Sequence, residues 1–114
     1  RAPKKKPTIW QQWPALDEYH KGMAMTFHPA ESGDLNPLKK YGAELSTTAS
    51  DLKKSVIPEA LNKPGLSDII SLLEKESLAL TKMIKSKKSD TILKKSIFAL
   101  HDRFHQIVEK CVHE

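Results

Sequence analysis

The stretch at residues 96–113, SIFALHDRFHQIVEKCVH, decides the reading of this chain. Ile97, Leu100, Phe104, Ile107, Val108 and Cys111 recur at steps of three and four, the spacing that lines one face of a helix with apolar side chains. With Leu93 they predict a core-facing helix capped at its start by Ser89 or Asp90. His101 and His105 lie four residues apart in it, so both imidazoles share one side, one turn from each other.

Working back from this last helix, three more of the same kind appear. Leu66, Ile69, Ile70, Leu73, Leu80, Met83 and Ile84 form an apolar face, with lysines at the end that suits the negative pole of the helix dipole. Leu38, Tyr41, Leu45, Thr48, Leu52 and Val56 form another, opened by Asn36 as cap and Pro37 as first residue and stopped before Pro58. The first helix starts between Thr8 and Pro14 and carries Trp13, Leu16, His20, Met23 and Phe27; Pro29 is expected to end it near Phe27. Between the helices lie HPAESGDLN (28–36), IPEALNKP (57–64) and a short turn at 87–89. Strand-like alternation and fixed-period repeats are absent. The expected fold is all-α, an antiparallel up-down-up-down four-helix bundle over residues 10–114, preceded by a flexible basic tail at 1–9.

A chain of 114 residues is long enough for one such core, and its 39% hydrophobic and 29% charged composition is that of a globular domain. No apolar run is long enough to form a transmembrane segment. The net charge is +5, concentrated at residues 4–6 and in Lys82, Lys85, Lys87, Lys88, Lys94 and Lys95. Without an arginine-rich reading helix or aromatic residues among the lysines, this reads as a solvated surface, and no nucleic-acid partner is expected. A single cysteine permits no internal disulfide. The pattern leaves the oligomeric state open.

The run Phe104-His-Gln-Ile-Val108-Glu-Lys-Cys111 resembles the last helix of the cytochrome c-prime family, where a Phe-x-x-Val-x-x-x-Cys run leads into the covalent haem motif. Gly33-Asp34-Leu35 ahead of the second helix resembles that family's first loop, and the order of helices agrees across nearly the whole chain. The resemblance implies the bundle and a periplasmic or secreted location. Covalent haem is not implied, because Cys111 is followed by Val112, His113 and Glu114 with no second cysteine. The chain looks like a haem-free relative with a refitted interior.

The histidines point to what refitted it. At about 100° per residue, with Leu16 as zero, Met23 falls near 340°, Phe27 near 20° and His20 near 40°, inside the expected buried arc. If the first and fourth helices are antiparallel neighbours, His20 stands opposite about position 99 or 103, level with His101 and His105. Those two lie roughly 70° and 110° from the centre of their own apolar face, on the flank that looks toward an adjacent helix. Three imidazoles converging between two helices suit a transition metal ion, Zn or Cu. Met23, one turn from His20, adds a soft donor that favours copper. His28 and Glu31 form a possible second ligand cluster; capping of the first helix is the plainer role for His28. Glu44 and Glu76 are further reachable acids. Against this stands a structural reading in which His20 is simply a hydrogen-bonded core residue and Cys111 a small core side chain.

The expected function is therefore non-enzymatic metal binding. No nucleophile elbow, phosphate loop or zinc-protease motif is present. The alternatives are non-covalent haem binding for electron transfer, with His20 or Met23 and His101 or His105 as axial ligands, and a cofactor-free interaction or sensor module.

Overall fold

The computed structural model of the chain describes residues 9–112. The tail at 1–7, Thr8 and His113 lie outside the described residues. Within them the chain is all-α and has no strand. A single turn, α1 (Ile9–Gln12), leads into four long helices: α2 (Pro14–Glu31), α3 (Asn36–Lys54), α4 (Leu66–Lys85) and α5 (Asp90–Val112), with a 3-10 turn at Glu59–Leu61. Ile9, assigned above to the tail, is already helical and packs on the core.

Each long helix carries buried residues seven apart: Leu16, Met23 and Ala30; Leu38, Leu45 and Leu52; Leu66, Leu73 and Leu80; Leu93, Leu100 and Ile107. A seven-residue apolar repeat keeps one seam turned to the same neighbours along several turns. Accordingly α3 packs on α2 and α4, and α5 packs on α4 and α2. Across the last of these faces, partners descend along α5 as they ascend along α2. Tyr19 and His20 meet Phe104, and Phe27 meets His101 and Phe98.

Three boundaries differ from expectation. Helix α2 does not stop near Phe27 but runs through Pro29 to Glu31. The proline ring fixes φ near its helical value, and so close to the end it forfeits one hydrogen bond, while Ala30 just beyond it is fully buried. The helix then closes on Gly33, whose φ of 95° lets Gly33 N–H bond Ala30 O and Asp34 N–H bond Pro29 O. Asn36 does not cap α3; Asp34 Oδ1 instead accepts a hydrogen bond from Asn36 N at 3.0 Å. Finally, Val56 lies past the end of α3 and is 89% exposed. The turn at 87–89 repeats the Gly33 geometry with Lys87 at φ 56°, and Ser89 Oγ faces Ile92 N at 3.4 Å at the start of α5.

The interior also holds polar groups. Tyr19 is fully buried and its hydroxyl pairs with Ser77 Oγ at 2.7 Å. Thr26 and Thr81, also buried, donate back to Gly22 O and Ser77 O in their own helices. Trp13 is 2% exposed and donates its indole N–H to Ser55 Oγ at 2.8 Å. Cys111 is buried as a small core residue, and that burial pushes its thiol pKa up.

Candidate metal centre

On the flank where α2 meets α5 the close packing gives way to a cleft of about 100 Å³. His20, Met23, Phe27 and His28 line it from α2, His101, Phe104, His105 and Val108 from α5, and Trp10 from α1. Met23, Phe27 and Phe104 are core residues that also line this cleft. No carboxylate is among the side chains lining it.

His101 and His105 bring their Nε2 atoms to 3.2 Å, with rings 78° apart. The four-residue spacing stacks the side chains on successive turns. Phe27 supplies the orientation, lying flat against His101 at 3.7 Å between centroids and 3° between planes. One imidazole nitrogen donates to the other, so a proton occupies the space between them. An ion at the usual ~2.0–2.1 Å from both nitrogens would subtend about 100–105° between them, close to the tetrahedral value. Burial, and next the neighbouring His105, hold the His101 pKa below the ordinary histidine value, with Asp102 and Glu31 pulling the other way. The ring is therefore neutral, and able to ligate, at neutral pH.

His20 is half-buried, not central. The residues that are actually enclosed on α2 (Leu16, Tyr19, Met23, Thr26, Phe27 and Ala30) centre their face some 70° from His20 by the same 100° step. Tyr19, omitted from the sequence stripe, takes the inner position because its hydroxyl finds Ser77. His20 packs in a cluster of rings instead. Trp10 stacks on one side at 4.3 Å, and Phe104 lies at 5.9 Å and 15°. Among the described residues no hydrogen bond engages its nitrogens, and the side chain lines the cleft.

The remaining sequence candidates divide. Met23 is 2% exposed and lines the cleft. His28 lines its outer edge, exposed, with Nδ1 3.8 Å from Glu31 Oε1. It does not cap α2, whose terminal carbonyls are taken by the N–H groups of Ser32, Gly33 and Asp34. Glu31 acts on His101 only through its field. Glu76 is held in a fork by Arg103, at 2.8 Å from Nε and 3.1 Å from Nη2. Glu44 is exposed on α3. Among the described residues no group of three His, Cys, Asp or Glu side chains is gathered tightly enough to hold a metal ion. The cleft thus unites His20, His28, His101, His105 and Met23 in one lining, and of its imidazoles those of His101 and His105 stand at shared-ligand distance from each other. The aromatic wall of Trp10, Phe27 and Phe104 escaped the sequence reading as a site feature, although two of its three members, Phe27 and Phe104, were legible as core positions.

No protein-family model, curated protein or solved structure matches this chain. Among the described residues no helix is long and apolar enough to cross a membrane.

Proposed function

We propose that the chain is a non-enzymatic, metal-binding four-helix bundle of the antiparallel up-down-up-down kind. It holds one transition metal ion, zinc or copper, in the cleft between α2 and α5. The observation that carries this reading is the His101–His105 pair, two imidazole nitrogens 3.2 Å apart that open onto a cleft shared with further donors. Two imidazoles at that separation form a ready chelate, and remaining positions go to donors of the opposite helix or to water. The resemblance to the cytochrome c-prime family supplies the proposed compartment, periplasmic or secreted.

The cleft volume favours an ion over a macrocycle. About 100 Å³ accommodates an ion with a few waters at ~30 Å³ each, whereas larger organic ligands occupy pockets of about 300–1,000 Å³. Calorimetric titration of the full chain with Zn²⁺, and with copper under reducing conditions, tests the reading. One ion per chain is expected, and His101→Ala or His105→Ala removes stoichiometric binding. Unchanged stoichiometry in both variants would refute the site.

A further inference from the structure

Resting on that reading of the cleft, we infer that its ion is monovalent copper, Cu(I), held by His101 Nε2, His105 Nε2 and the Met23 thioether. Three features of the cleft favour this ion. First, no donor in the lining is anionic. Phe27, Phe104, Val108 and Trp10 wall the site and no carboxylate lines it, so a bound ion keeps its whole charge in partly desolvated surroundings. The cost of placing an ion there rises with the square of its charge, so a monovalent ion meets about a quarter of the penalty of a divalent one.

Second, the donor that comes from α2 is soft. Met23 is 2% exposed and lines from α2 the same cleft that the imidazole pair lines from α5. Thioether sulfur selects Cu(I) and is a poor ligand for Zn²⁺. Zinc asks for three or four nitrogen, thiolate or carboxylate ligands, and no third group of those kinds joins His101 and His105 among the described residues. Third, the angle of about 100–105° that the imidazole pair would impose, from the ordinary metal–nitrogen distance, is wider than the right angle of a square-planar Cu²⁺ centre. A filled d-shell ion has no such directional demand. In this assignment His20 is part of the wall, kept in place by Trp10 and Phe104.

The test is an anaerobic titration of the full chain with Cu(I) against bicinchoninate as a competing chromophoric chelator. Parallel Zn²⁺ titrations are run on the wild type, Met23→Leu and His101→Ala, and X-ray absorption is measured on the copper-loaded wild type. The expected result is one Cu(I) per chain, bound more tightly than Zn²⁺, with one sulfur and two nitrogen neighbours at the metal. Met23→Leu, close in volume, weakens Cu(I) by about tenfold or more, at least the scale on which partners of metal ligands act. It leaves Zn²⁺ affinity unchanged, which reports that the cleft is intact. A copper spectrum without sulfur, or equal changes for both metals in Met23→Leu, overturns the Cu(I) assignment while leaving the metal site standing. Binding of either metal that ignores His101→Ala overturns both.

Discussion

Tyr19 and His20 are adjacent in sequence, and they leave α2 toward two regions with different rules. Tyr19 points into the core, fully enclosed, and its hydroxyl meets Ser77 Oγ across the interior. Burial pushes the phenol pKa well above its usual value, so it stays neutral and hydrogen-bonded. His20 points to the flank, where Trp10 stacks on it and Phe104 lies close by. Inside, each polar group must be answered, because an unpaired one costs more than the pair contributes. In the cleft, Trp10 stacks on His20 and Phe27 on His101, and the hydrogen bond that His101 and His105 share runs between two imidazoles of the cleft itself. Ring stacking takes on the flank the positioning role that the tyrosine–serine hydrogen bond has inside.

Phe104 belongs to both regions, so its loss is expected to have the largest effect. It is 3% exposed and its ring lies 5.4 Å from Tyr19, 5.9 Å from His20 and 6.3 Å from Trp10. Phe104→Ala should destabilise the fold by about 3–5 kcal/mol, measured by urea unfolding. Below about 1 kcal/mol, the site would have to be plastic enough to refill itself, and the division drawn above would fail.

The inner pair gives the next largest effect. Tyr19→Phe leaves Ser77 without its cross-core partner and should cost about 1–3 kcal/mol. Ser77→Ala strands the phenol instead, with a similar penalty. The double variant Tyr19→Phe/Ser77→Ala removes both polar atoms and should be more stable than the two single losses added together. A double-mutant cycle by chemical denaturation measures this directly. A coupling of zero would mean that each hydroxyl is satisfied without the other.

How far the sequence foretold these regions follows from what apolar spacing can register. The four long helices were legible because Leu38, Leu45 and Leu52, or Leu66, Leu73 and Leu80, repeat as a seam and sit against proline- and glycine-marked loops. The height at which α2 meets α5 was legible too: His20 meets Phe104, near the upper of the two registers considered. Side-chain depth was not. A polar tyrosine and Ser77 are interior because they answer each other across 58 positions, a relation that no local pattern carries. Leaving Tyr19 out of the stripe swung its centre toward His20. Pro29 misled for a different reason: its cost depends on how many turns follow, and almost none do. The His101–His105 pairing was readable from spacing alone, whereas its pinning by Phe27 depends on ring orientations set only by packing.

On the cleft side the sharper probe is acid. His101 is held below the ordinary histidine value of 6.5, so under acid the unfolded chain takes up a proton before the folded one does. This group's contribution is fully present above about pH 6.5 and is lost as the pH falls through the lower, folded value. The charged or titratable groups that act on it are His105 and Asp102 on α5, and His28 and Glu31 on α2. Thermal unfolding of the metal-free chain should therefore show a midpoint that falls between pH 7 and pH 5. In NMR titration His101 should have a midpoint under 6.5, and His105→Ala should move it upward by removing one of the opposing causes. A His101 midpoint above 6.5 would reverse the sign of this argument.

The smallest expected effect concerns Glu76, the acid that stands between the two regions in sequence logic, reachable on paper yet claimed by Arg103. The fork joins α4 to α5, and Arg103 Nη1 also reaches Gln106 Oε1 at 3.0 Å. Both partners are partly exposed, 28% and 38%, so water and salt screen the pair. Arg103→Lys keeps the charge but loses the two-pronged geometry, and should cost about 0.2–1 kcal/mol, less in high salt. Metal affinity offers the more discriminating readout. If Glu76 is only a strut between helices, Arg103→Ala changes binding in the cleft no more than Arg103→Lys does. If freeing the carboxylate strengthens Zn²⁺ binding instead, Glu76 can reach the ion, the cleft is not an all-neutral donor set, and the contrast between a satisfied interior and an open aromatic flank has been drawn one residue too narrowly.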